Sequence, residues 1–291
     1  MLSGNLLWVL MGTMLLGIAA GITGTFSFLQ KQSLVGDAAA HAALPGIALA
    51  FLLTGQKELP VLMIGAAITS ALSVYCIQWI VTYSKLKADA AIGLVLAVFF
   101  GIGIVLLTIV NRSPLGNQSG LNDFIFGKAA TMTKADLTWL FISAAIIIIV
   151  SLLLYKEWKL MIFDPVYAKG IGLPIEALKA CLTALIVMTI VTGIQAVGVI
   201  LMSALLIIPA ASAKLWTKRL STMLIFSGIT GGIAGLAGTF ISSLRTGLST
   251  GPIIVLFAAT IFFISYLFSP KAGQLSKYIR KVKFRKQEKL S

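Results

Sequence analysis

Long apolar runs separated by short polar links occupy most of this chain. Each run is close to the roughly 20 residues that a helix rising 1.5 Å per residue needs to cross a bilayer. Nine fall near residues 6–29, 34–54, 59–83, 89–110, 135–154, 176–194, 196–213, 220–242 and 251–268. Only Ile194 to Val197 parts the sixth from the seventh, so one of these two reads as a broken or re-entrant element, and the count is nine or eight. The pattern predicts an all-α integral membrane protein: a polytopic domain over 1–270, then a tail over 271–291. The first run lacks the basic flank and small-residue cleavage site of a leader and is expected to stay in the mature chain.

Composition agrees with the pattern. Of 291 residues, 58% are hydrophobic and 11% charged, against about one quarter charged in a soluble domain; mean hydropathy is +1.01. Cys76 and Cys181 sit inside apolar runs with no CxxC or Cys/His partner, which suggests packing residues rather than a disulfide or zinc site. No soluble domain or repeat period stands out.

Lys and Arg orient the spans. With nine passes, Lys31, Lys85, Lys87, the cluster from Lys156 to Lys179, Lys214, Lys218, Arg219 and the tail all fall on one side. Lys57, Arg112, Lys128, Lys134 and Arg245 fall on the other. Short cytoplasmic links carry the basic excess, so the carboxyl terminus is expected in the cytoplasm and the amino terminus outside. The net charge of +14 owes much to the tail, where Leu275, Ile279 and Val282 share a helical face. An anionic leaflet attracts such a segment by about 1 kcal/mol per basic residue. Membrane lipid is therefore the partner expected for it, and nucleic acid is not.

Within the spans, Gly17 and Gly21, Gly228 and Gly232, and Gly231 and Gly235 have the spacing that lets helix backbones approach closely. Packing is the reading preferred for them.

The polar exception is "GDAAAHAALPG", Gly36 to Gly46, with an aspartate and the only histidine of the chain. At i and i+4, Asp37 and His41 share one helix face and can reach a common ion. A carboxylate at membrane depth costs roughly 2.5 to 3.5 kcal/mol, so it persists where it meets a partner, water or an ion. Three structural alternatives stand beside a metal site: pairing of Asp37 with Lys31, a self-satisfied Asp–His contact, and an aspartate capping a helix start. Pro45 removes a backbone donor and Gly46 follows it, so the span is expected to be kinked or interrupted there, as in helices that line a pathway. Two ligands do not close a metal site. Two copies about a two-fold axis would supply two carboxylates and two imidazoles, an oxygen and nitrogen set suited to manganese, iron or zinc.

Between the fifth and sixth runs lies "FDPVYAKGIGLPIEALKA", Phe163 to Ala180. Asp164 before Pro165 can start a short helix through Tyr167 and Ala168, and Gly170 and Gly172 can end it ahead of Leu173. Such a helix and turn would form a docking knob on the cytoplasmic face, although composition alone favours an ordinary connecting loop.

Four stretches in order, "SLVGDAAAHAALPGIALAF" from Ser33, "AAIGLVLAVFFGIGIVL" from Ala90, "FDPVYAKGIGLP" from Phe163 and "VGVILMSALLIIPAASAKLW" from Val197, resemble the permease subunits of bacterial ABC importers for manganese, zinc and iron. The resemblance covers most of the chain. It implies a fold like that of the cobalamin and siderophore importer permeases with fewer spans, in the bacterial plasma membrane. It implies that Asp37 and His41 contact the metal in transit, with Pro45 and Gly46 shaping the pathway helix. It implies that Phe163, Asp164, Pro165, Ala168, Gly170, Gly172 and Leu173 dock on a cytoplasmic ATP-binding subunit dimer. The further partners implied are a second permease, identical or related, and an extracellular metal-binding protein. No permanently bound cofactor is expected; the transported ion is manganese, with zinc or iron as alternatives. No GxxxxGK[ST] phosphate loop is present, so ATP hydrolysis is assigned to a separate chain and this one is not read as an enzyme.

Two rival classes are weaker. A proton-coupled secondary transporter usually shows inverted repeats and more intramembrane ionisable groups. A membrane metalloprotease needs HExxH, which one histidine cannot supply.

Overall fold

The computed structural model describes residues 4–55, 58–112, 127, 129, 132–244, 248–270 and 273. These residues form eleven helices: α1 Gly4–Leu29, α2 Ser33–Thr54, α3 Leu59–Tyr83, α4 Ala88–Arg112, α5 Lys134–Leu153, α6 Tyr155–Phe163, α7 Pro165–Gly170, α8 Ile175–Val197, α9 Val199–Trp216, α10 Leu220–Ser243 and α11 Thr250–Phe268. Lipid offers the backbone no hydrogen-bonding partners, so an apolar run must satisfy itself as a helix.

Among the described residues, eight helices are long and apolar enough to span a membrane. The remaining long apolar helix is α9, Val199–Trp216, 18 residues with Pro209 inside it. Each of the nine expected runs thus corresponds to a helix, α9 being the shortest of them. The weak point lies where the sequence placed it: α8 continues to Val197, and Gly198 alone links it to α9. Gly198 has φ 92° and ψ 157°, a region essentially closed to residues with a Cβ. The proposed tail, apart from Gly273, and most of the Asn111–Lys134 link lie outside the described residues.

Helix α1 is the centre of the bundle, touching α5, α8, α9 and α10. It runs antiparallel to α10 at backbone contact: Gly17 lies against the Gly231 carbonyl, Gly21 against Ser227, and Gly235 against Thr13. The Ser227 hydroxyl donates to the Gly21 carbonyl at 2.7 Å, and Thr239 donates to Thr13 at 3.0 Å. The packing reading of these glycines holds, with one refinement: Gly228 and Gly232 instead make room for the Ile18 side chain.

A second tight group comprises α2, α3 and α4. Gly46 and Gly65 bring α2 and α3 together, and the Ser70 hydroxyl donates across them to the Ala39 carbonyl at 2.7 Å. Helix α4 runs parallel to α2, with Gly103 against Leu44 and Pro45. These pairings place the α1–α2, α3–α4, α5–α8 and α9–α10 links at one end of the bundle. That end carries Lys31, Lys85, Lys87, the Lys156 to Lys179 cluster, Lys214, Lys218 and Arg219.

Candidate metal site and docking surface

Helix α2 starts at Ser33 after Gln32, whose side chain makes no capping bond. Asp37 therefore stands in the second turn and is not the helix cap. Counting from Ser33, Asp37 and His41 rise about 6 and 12 Å into the bundle from its basic end. His41 Nε2 lies 3.6 Å from Asp37 Oδ1, together on one face but beyond a good hydrogen bond. Lys31 forms no ion pair with Asp37 among the described residues. The Asp–His contact is therefore formed, whereas the Lys31 pairing and the cap are not, and His41 Nδ1 is buried without any hydrogen-bond partner.

Two neighbours position the histidine. The Phe100 ring on α4 meets the imidazole edge to face, centroids 5.0 Å apart and planes at 84°, which restricts ring rotation. Pro45 stands four residues beyond His41 in the same helix. A proline has no N–H to give its i−4 carbonyl, so the His41 main-chain oxygen loses its helical donor. The span is not interrupted here: α2 runs as one helix to Thr54, with the close approach of α3 at Gly46 and of α4 at Gly103 covering the proline turn. One face of α2 therefore carries a carboxylate and an imidazole, a hard and a borderline donor, and the main-chain carbonyl beside them lacks its helical partner.

The face bearing the pair is not closed by this chain. The Asp37 and His41 side chains are 30% and 15% exposed, and Leu34, one turn before, is 48% exposed. Among the described residues no group of three or more His, Cys, Asp or Glu is assembled. Both cysteines are free, and neither joins the pair.

The expected knob is also present. Asp164 Oδ1 accepts the Tyr167 N–H at 3.0 Å, Pro165 occupies the first turn of α7, and Gly172 reverses the chain at φ 82°. The Leu173 N–H closes the turn on the Ala168 carbonyl at 3.1 Å. Ala168 is buried, whereas Phe163, Val166, Tyr167 and Ile171 are all more than half exposed, Val166 reaching 82%. Helix α6, not anticipated from the sequence, holds this knob to the bundle. Its Trp158 is fully buried, meets Phe26 of α1 edge to face at 5.0 Å and donates to the Leu178 carbonyl of α8 at 3.2 Å. Trp158 and Met161, apolar residues three apart in a stretch with Lys156, Glu157 and Lys159, were the available signal, and both are buried.

Comparison with known proteins gives a consistent match. The model of the ABC 3 transport family matches residues 3–269. The manganese transport system membrane protein MntC of Bacillus subtilis is 48% identical over 97% of this chain, which spans 65% of that protein's length. The zinc transport system membrane protein TroC of Treponema pallidum is 41% identical over 94% of this chain and 92% of its own. Among solved structures, PsaBC from Streptococcus pneumoniae in complex with Fab superposes with a TM-score of 0.83 at 32% identity, covering 96% of this chain and 95% of that one.

Proposed function

The chain belongs to the ABC 3 transport family, and we propose that it is the membrane permease of an ATP-driven importer whose cargo is a divalent transition metal ion, manganese first and zinc second. The observation that carries this reading is the Asp37/His41 pair, a carboxylate and an imidazole side by side and partly exposed on one face of a membrane helix. The MntC relative, named for manganese, and the TroC relative, named for zinc, support the two ions in that order. An oxygen and nitrogen donor set is chemically suited to both.

The site becomes complete when a second permease, identical or related, apposes the same face. Each chain then contributes Asp37, His41 and the His41 carbonyl around a central path. Asp37 supplies the negative charge that offsets dehydration of the ion. Two chains on an axis also explain why so few ionisable groups serve the path.

Basic residues at one end of the bundle support a cytoplasmic carboxyl terminus and an external amino terminus. The α6–α7 knob then faces the cytoplasm, where its apolar surface seats on the ATP-binding subunit. ATP binding and hydrolysis there move the knob, and Trp158 passes the movement to the ends of α1 and α8. The path opens alternately to an external metal-binding protein and to the cytoplasm, and the ion is held loosely enough to leave.

Manganese binding to the purified permease, followed by electron paramagnetic resonance, tests the shared site. One ion per two chains, lost in Asp37→Ala, is expected. One ion per chain, or binding indifferent to Asp37, contradicts the reading.

A further inference from the structure

On the outside of the bundle, away from the Asp37/His41 face, a groove of about 1260 Å³ runs between α3 and α5. Its walls stay apart because each packs on α8 rather than on the other. Ala180, Thr183 and Ala184 on that floor are too small to fill the gap. Most of the length is apolar, at a depth where lipid surrounds the protein.

The groove's basic end is different. Lys31, Lys179, Asp89 and Glu176 all line it, with Gln32 and Gln78 beside them. Lys179 lies 3.0 Å from Glu176, both well exposed, and Lys31 and Asp89 form no ion pair with each other among the described residues. Two cations and two anions at one rim, above an apolar trough, complement a molecule with a phosphate, an amine and long hydrocarbon chains. A purely anionic head group would bring its charge against two carboxylates.

We propose that this groove is a binding site for one phospholipid with an ammonium-bearing head group, its phosphate at Lys31 and Lys179 and its amine near Asp89 and Glu176. The acyl chains lie along α8 between the walls and supply the contacts that α3 and α5 do not make with each other. The site is separate from the transport pair, and lipid retention is read without any uptake measurement.

The test is native mass spectrometry of the purified protein, stripped of lipid in detergent and titrated with phosphatidylethanolamine or phosphatidylglycerol. The wild type should hold one phosphatidylethanolamine per chain, about fivefold more tightly than phosphatidylglycerol. Ala184→Trp, which fills the floor, should weaken retention about tenfold. Ala71→Trp on the α3 wall should do the same, and serves if the first variant does not fold. Ile233→Trp, on the exposed surface of α10, should bind as wild type. Asp89→Asn/Glu176→Gln should still bind lipid but lose the preference between head groups. Equal or tighter binding of phosphatidylglycerol to the wild type, or undiminished lipid in folded Ala184→Trp and Ala71→Trp, would overturn the proposal. So would loss of a dimer in either tryptophan variant with lipid unchanged, since the groove would then seat a second copy.

Discussion

His41 is held by what surrounds it rather than by its nearest acid. The Asp37 carboxylate at 3.6 Å is too far to satisfy the ring, and Phe100 restricts its plane without offering a hydrogen bond. Pro45 adds a carbonyl that lacks its helical donor. Replacing Pro45 with Ala returns an N–H to that carbonyl. Manganese affinity in Pro45→Ala is therefore expected to fall about tenfold, in the range of supporting groups at metal sites, while α2 itself becomes more stable; a metal titration paired with thermal unfolding checks both signs. The aspartate and histidine were legible in sequence because ionisable groups stand out in an apolar run. Phe100 was not, since an aromatic residue among Phe, Val and Leu carries no mark of its neighbour until α4 is docked on α2. The freed carbonyl was readable in principle from the four-residue spacing of His41 and Pro45. A kink or an interruption was expected at Pro45; the helix is not interrupted, and α3 and α4 pack closely around the proline.

Among the elements, α7 shows how a short motif can be read in advance. Asp164, Pro165 and Gly172 specify start, first turn and reversal by local chemistry alone, and the structure carries each out. Helix α6 escaped because Leu154 alone separates it from α5 and it continues the apolar trend of the span before it. The two helices divide the labour of coupling. Trp158→Ala should cost about 3 to 5 kcal/mol, the usual penalty for emptying a buried aromatic site, and should loosen the knob. Val166→Asp, at an 82% exposed position, should leave stability within about 0.5 kcal/mol while reducing co-purification of the ATP-binding subunit. Chemical denaturation and pull-down measured together separate these two effects. The α8–α9 break has a similar local cause. Gly198→Ala forces a Cβ into a backbone region reserved for glycine, at a cost on the order of 1 to 3 kcal/mol, and should lower the thermal stability of the purified permease.

At the scale of the molecule, two tightly packed groups meet along α1, α2, α8 and α9. Apolar length predicted the helices well, because each long run has one stable form in lipid. It left the ninth run undecided, since hydropathy scores α9 like its neighbours and only the Gly198 geometry shows where the chain turns. The partnership of α1 with α10 was partly visible in the glycine spacing, but which glycines meet backbone and which meet Ile18 depends on register. Gly17→Val would drive a side chain into the Gly231 carbonyl and should abolish assembly of the folded permease, as size-exclusion chromatography after extraction would show. Transport through Asp37 and His41 is the central claim. Its most direct test is ATP-dependent uptake of manganese and zinc by proteoliposomes holding this chain, its ATP-binding subunit and its external metal-binding protein. Uptake should favour manganese and fall at least about 100-fold in Asp37→Ala and in His41→Ala, with assembly and ATP hydrolysis retained. Unchanged uptake in both variants would contradict the account and make "GDAAAH" a structural turn of α2.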